Sequence, residues 1–114
     1  MLSVKQYKTI KKYIKLNKGA TLSSNYEILN LSSGYFVSLY GYELKQKKLS
    51  YLTLIKYSKL AKSNHALIGL WIDNGYIYYD ISQHIENKYL AFREAIANKQ
   101  KAYFDIFNNC SIYL

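Results

Sequence analysis

Lys5, Lys8, Lys12 and Lys15 recur at i, i+3, i+7 and i+10, with Lys11 and Lys18 beside them and nothing acidic before Glu27. On a helix this spacing gathers the ammonium groups into one stripe. Such a stripe can recognise a polyanion, because lysines displace condensed counterions from phosphates and give sequence-independent, salt-sensitive affinity. The same spacing also describes the solvated outer face of an amphipathic helix. Base-specific readout is not expected, since bidentate recognition of guanine favours arginine and Arg93 is the one arginine. The other chemically suggestive cluster is Asp80-Ile81-Ser82-Gln83-His84 with Glu86. Asp80, Ser82 and His84 would share a face if a strand continued through them. Ser82, however, reads better as a turn or cap residue, and a serine triad needs base and orienter converging from different elements. A metal site needs two histidines with carboxylates in reach, whereas His65 and His84 fall in separate loops. There is no Gly-rich phosphate loop, Walker lysine or dinucleotide fingerprint. Binding without catalysis, metal or cofactor is the expectation.

The elements that must carry these residues follow from periodicity. Val4, Tyr7, Ile10, Tyr13 or Ile14, and Asn17 have helical spacing, with Ser3 as N-cap and Lys18-Gly19 as the stop. Thr21–Leu22, Tyr26–Leu31 and Gly34–Tyr42 read as short strands. A second helix is expected from about Lys48 to Ser63, burying Leu49, Leu52, Ile55, Leu60 and Tyr51 and turning Lys56, Lys59 and Lys62 outward. A third is expected over Lys88–Asn98 with Asn87 as its cap. Ala102–Phe107 and Ser111–Leu114 close the chain as strands. The expected fold class is α+β: about three helices on a mainly antiparallel sheet, in the order α-β-β repeated three times, within a single domain spanning 1–114.

Asn74-Gly75 is the strongest local signal, because both central residues of a type I′ hairpin turn need positive φ. A two-residue loop there pairs Asp73 with Tyr76, Trp71 with Tyr78, Leu70 with Tyr79 and Ile68 with Ile81. Alternation then puts Ile68, Leu70, Ile72, Ile77, Tyr79 and Ile81 on a core face. The other face holds Trp71, Asp73, Tyr76, Tyr78 and Asp80, with Gly69 opposite Asp80. Either another segment of the domain covers this face or it is an exposed recognition surface, since Trp and Tyr are over-represented among binding hot spots. Single-stranded nucleic acid could stack on the rings, but the two carboxylates would repel phosphates, so a protein partner fits an exposed face better.

Charge separates the two parts of the chain. Residues 1–72 hold 12 lysines against Glu27 and Glu43, a net +10. Residues 73–114 hold Lys88, Arg93, Lys99 and Lys101 against Asp73, Asp80, Glu86, Glu94 and Asp105, a net −1. The sum is the formal +9. A polyanionic partner for the first part is the expectation, with Lys5, Lys8, Lys11, Lys12, Lys15, Lys18, Lys56 and Lys59 as the contacting residues. Cys110 is the only cysteine, which excludes an intramolecular disulfide, and its apolar surroundings suggest a small buried residue. The chain opens on a basic amphipathic segment, and no apolar run approaches the ~20 residues of a membrane span, so a cytoplasmic location without membrane association is expected.

Two stretches carry a resemblance. Asn17-Lys18-Gly19-Ala20-Thr21-Leu22, Ser33-Gly34-Tyr35-Phe36-Val37-Ser38 and Gly41-Tyr42-Glu43 resemble small uncharacterised proteins of Gram-positive phages, plasmids and pathogenicity islands. Gly69 through Gly75, Tyr79-Asp80-Ile81-Ser82, Ala91 through Ala97 and Gln100 through Ile106 look like a C-terminal module of short phage proteins. That pool includes anti-CRISPR inhibitors of nucleic-acid-guided nucleases. The resemblance implies a mobile-element protein that binds a host nuclease or its ribonucleoprotein complex, and it assigns no residue to inhibition. A non-specific accessory protein that binds RNA or DNA is the alternative.

Overall fold

The computed structural model describes residues 1–114. Helix α1 runs from Val4 to Asn17. Ser3 and Gln6 close a capping box at its start, with Gln6 N–H donating to Ser3 Oγ at 3.0 Å and Ser3 N–H donating to Gln6 Oε1 at 2.9 Å. Lys18 ends the helix in the left-handed region at φ 64°, and its N–H reaches the carbonyl of Ile14. Ser3→Ala is expected to lower stability by about 1 kcal/mol in urea unfolding, since the Gln6 N–H in the first turn loses its acceptor.

Strands β1 (Gly19–Leu22), β2 (Tyr35–Ser38) and β3 (Leu44–Gln46) precede α2 (Tyr51–Ser63). Next come β4 (Leu67–Asp73), β5 (Tyr76–Ile85), α3 (Lys88–Ala97), β6 (Ala102–Asp105) and β7 (Cys110–Tyr113). The fold is α+β with three helices and a seven-stranded antiparallel sheet. The expected threefold α-β-β order is not what the chain adopts. Three strands lie between α1 and α2, and Tyr26–Leu31 supplies only an isolated bridge from Ile28 to Leu22. Tyr26 itself sits at φ 67°, which breaks an extended run.

The sheet runs β1-β4-β5-β2-β6-β7, with β3 also on β5. β5 is ten residues long and serves two partners on one edge, β3 along Ile77–Tyr79 and β2 along Ser82–Ile85. Its other edge pairs with β4 in the register that the Asn74-Gly75 turn requires, Asp73 opposite Tyr76 through Ile68 opposite Ile81. Asn74 and Gly75 have φ of 51° and 79°. Ser82 is therefore a buried strand residue and not a turn or cap, because pairing with β2 and β4 extends β5 past Ile81.

Alternation along β5 puts Ile77, Tyr79, Ile81 and Gln83 on one face. Ile10 and Ile14 of α1 and Leu54, Tyr57 and Ala61 of α2 pack with those isoleucines, Leu22, Ile68 and Leu70 in the main core. Val37 lies beside Gln83 and joins Ala91 and Ala95 of α3 and Tyr103 in a smaller cluster. All three helices thus occupy one side of the sheet. Leu52, expected inside α2, is 76% exposed. The helix starts at Tyr51 behind its Ser50 cap, and Leu54 and Tyr57 take the inner arc instead. Cys110 is exposed on the edge strand β7, not buried.

Candidate functional site

All 16 lysine and arginine side chains are exposed, and none lies within ion-pairing distance of a carboxylate. The single salt bridge joins His84 to Glu86 at 3.6 Å. The positive charge of the basic part is consequently not spent within the molecule. Lys5, Lys8 and Lys12 flank a shallow depression on the outer arc of α1, opposite Ile10 and Ile14. Lys56 and Lys59 leave α2 on the arc away from Leu54, Tyr57 and Ala61. Both arcs belong to the helical side of the sheet. Lys18 sits at the end of α1, where its carbonyl accepts from Ile72 N–H at 3.0 Å.

The remaining two lysines of α1 turn toward a groove. Lys11 and Lys15 form one wall and Lys47 and Lys48, in the loop between β3 and α2, form the other. Ile14, Leu49, Ile72 and Ile77 line the space between, and Gly75 and Tyr76 of the hairpin border it; the recess holds about 430 Å³. Tyrosines fix the walls. Tyr7 of α1 donates its hydroxyl to the Leu49 carbonyl at 2.9 Å and meets Tyr51 edge-on, with ring centres 5.5 Å apart. Tyr51 in turn donates to the Leu2 carbonyl, and Ser50 N–H donates to Tyr79 Oη at 2.9 Å. The α2 start is thus tied both to α1 and to the sheet, which holds the two lysine pairs across the groove from each other. Lys45, Lys47 and Lys48 were not among the residues expected from helical spacing. The basic run Lys45-Gln46-Lys47-Lys48 was their signal, but only the docking of that loop against α1 makes it part of a site.

On the other side of the sheet, Trp71 stacks on Tyr78 with ring centres 4.1 Å apart and planes at 10°, and remains 38% exposed. Lys45, opposite Tyr78 in the register, holds its Nζ 4.2 Å from the ring centre of Tyr76 and 5.8 Å from that of Tyr78. That cation–π contact brings positive charge to the aromatic face. Asp73 is exposed at the hairpin end.

Asp80, expected on this exposed surface, does not belong to it. It is buried, and its carboxyl lies over Gly69, where a Cβ would stand 2.8 Å from Asp80 Cγ. Ser82 Oγ donates to Asp80 Oδ1 at 2.6 Å, and Ser38 Oγ lies 3.5 Å from Ser82 Oγ. Burial pushes the Asp80 pKa up, against the lowering effect of hydrogen bonds from Ser82 and Ser38. The missing side chain at Gly69 is what lets the carboxyl fold inward.

His84 does not complete an acid–nucleophile–base set. Its Nε2 meets the Ser33 carbonyl oxygen at 2.9 Å and Glu86, and Ser33 Oγ donates to Glu86 as well. These contacts fasten the loop before β2 to the end of β5. No three His, Cys, Asp or Glu side chains converge as a metal-binding group.

A third surface was not anticipated. Tyr89, Phe92 and Ile96, at i, i+3 and i+7, are exposed along α3, while its small residues Ala91 and Ala95 are buried against the sheet. Such an inverted helix leaves an apolar stripe facing outward. Its sequence signal was the low bulk of the alanines, which pack closely against Val37 and Tyr103. No helix is long and apolar enough to cross a membrane. No protein-family model, curated protein or solved structure matches the chain.

Proposed function

We propose that this protein acts by binding, with its helical side engaging the nucleic acid of a host nucleoprotein and its aromatic surfaces engaging protein. The observation that carries the reading is the set of exposed basic side chains without a single carboxylate partner, ten of them lysines of α1, α2 and the groove. Unpaired ammonium groups on adjacent helices attract phosphates at a distance and release counterions on contact.

The setting that fits is a phage or mobile-element inhibitor of the anti-CRISPR type, acting in the cytoplasm of the host bacterium on a nucleic-acid-guided nuclease. The sequence resemblance supports that setting. A basic inhibitor is poorly suited to mimic DNA and instead fits the guide RNA, an acidic protein patch or the assembled ribonucleoprotein, of which the unpaired lysines favour the RNA-bearing targets. The Trp71–Tyr78 pair with Tyr76, beside an Asp73 carboxylate that repels phosphate, and the Tyr89-Phe92-Ile96 stripe favour this reading over a plain nucleic-acid binder, because exposed aromatic surfaces of this kind mark protein contacts.

Binding to labelled RNA at increasing salt tests the polyanion reading. For four to seven phosphate contacts, log K is expected to fall against log salt with a slope of about −3 to −5. A flat profile, or no binding at low salt, rules the reading out. A guide-directed cleavage assay then separates the settings. Stoichiometric loss of cleavage supports the inhibitor. Salt-sensitive binding that leaves cleavage intact favours the accessory RNA- or DNA-binding protein.

A further inference from the structure

Strand β7 ends the sheet, with β6 on one edge and no strand on the other. Leu114 N–H donates to the Lys101 carbonyl at 2.9 Å, and Ile112 stands opposite Tyr103. Alternate residues of an antiparallel strand turn their N–H and C=O to the same neighbour. Cys110 and Ile112 therefore bond toward β6, while Ser111 and Tyr113 aim their main-chain groups outward. Open edges are ordinarily guarded by lysine, proline or a bulge. Asn108 to Leu114 has neither proline nor a charged side chain, and its register with β6 is unbroken. We infer that β7 pairs antiparallel with β7 of a second copy, giving a two-fold dimer with one continuous sheet.

The backbone selects the register. Centring the pair on Ile112 sets Ser111 opposite Tyr113 of the other copy, so the outward groups of both residues bond in both strands. Centring it on Ser111 would bring Tyr113 opposite Asn109, whose φ of 50° is not extended.

Packing favours the same partner. Ile112 is half-buried beside Val37, Ala91, Ala95 and Tyr103 on the helical side. β5 and β6 run parallel on either side of β2, and α3 joins them. Such crossovers are right-handed, and in that hand the residue after each buried alanine leans toward β7. Phe92 and Ile96 take those places. A strand spacing of ~4.8 Å puts the two α3 axes roughly 19 Å apart across the two-fold axis. Direct helix packing needs ~8–10 Å, so large side chains must close the gap. That accounts for alanines beneath α3 and large apolar residues beside it. The exposed parts of Tyr89, Phe92, Ile96 and Tyr113 come to roughly 500 Å² per copy. Two copies thus reach the ~1,000 Å² that a specific interface needs.

Charge points the same way. Two molecules of +9 repel each other least through residues 73–114, whose net charge is −1. A two-fold axis through an antiparallel pair stands perpendicular to the sheet, so both lysine-bearing helical sides face one way. The inference does not rest on the polyanion reading. It gives the α3 stripe a second copy as its protein contact and leaves the Trp71–Tyr78 face to a different protein.

Sedimentation velocity of the full chain at about 100 µM is expected to show a species of twice 13.4 kDa. Ser111→Pro is expected to give the single-chain mass with unchanged circular dichroism, because the N–H it removes points away from β6. Register has its own readout. In Ile112→Cys combined with Cys110→Ser, the paired Cα atoms lie about 4.5 Å apart, within disulfide reach, so mild oxidation should link most chains. Cys110 of the unaltered protein stands opposite Leu114, about 13 Å from its counterpart, and should stay unlinked. A single-chain mass for the unaltered protein at that concentration overturns the inference, whatever partner then takes the strand. A dimer that survives Ser111→Pro in folded protein overturns it too, as does one that cross-links through Cys110 and not through position 112.

Discussion

Replacing Lys5, Lys8, Lys12 and Lys15 together with Glu is expected to weaken RNA binding by about 100- to 1,000-fold near physiological salt and to abolish any inhibition that depends on it. The formal charge falls by eight, from +9 to +1. Four lost phosphate contacts also flatten the salt dependence by about three units of slope. Stability should move by no more than about 0.5 kcal/mol, because all four side chains are exposed and unpaired. A carboxylate at position 5, in the first turn of α1, gains from the helix dipole, and one at position 15, in the last turn, loses a similar amount. Anisotropy titrations beside urea unfolding therefore separate a binding role from a structural one. Full affinity in a folded quadruple variant would remove the lysine stripe from the mechanism.

The second large effect concerns Gly69 and Asp80. Gly69→Ala is expected to cost about 1–3 kcal/mol, since the new methyl group would drive into the Asp80 carboxyl and displace it from Ser82. Combining it with Asp80→Ala should cost clearly less than the sum of the two single changes, with a coupling of about 1 kcal/mol or more. Additive behaviour in denaturant titrations would contradict the contact.

Asp80→Asn probes the same site through pH. Because burial raises the native pKa of Asp80 above its ordinary 3.8, the folded protein keeps a proton that the unfolded chain has released. Between those two values, stability falls as pH rises. The asparagine variant carries no such proton, and its amide can still accept from Ser82. The stability difference should consequently shift in favour of Asp80→Asn as pH climbs from about 4 toward neutrality. Asp105, whose pKa is lowered mainly by hydrogen bonds from Asn108, contributes equally to both proteins and cancels. A constant difference across the range would mean that Asp80 is not held in a buried setting.

What could be read from the chain alone was what depends on near neighbours. The Ser3 cap, the Lys18 stop, the Asn87 cap and the Asn74-Gly75 turn each act over a few residues, so both ends of α1, the start of α3 and the hairpin register followed directly from residue types. The charge asymmetry needed only counting. Periodicity became unreliable where long-range contacts decide which face is buried. Leu52 matched the expected helical pattern yet points outward, because the docking of Tyr51 and Tyr57 sets the rotation of α2. Asp80 alternates with the core residues and should have been exposed, but the space over Gly69 and the hydroxyls of Ser38 and Ser82 draw it in from two strands.

The groove was invisible for the same reason. Its walls come from α1 and from the loop before α2, more than 30 residues apart, and they meet only because tyrosine hydroxyls reach carbonyls across that separation. The sequence by itself determined how much positive charge there is and which helices carry it. Only the tertiary structure decided that four of those lysines surround an apolar recess, because that arrangement depends on non-local packing that no spacing along the chain encodes.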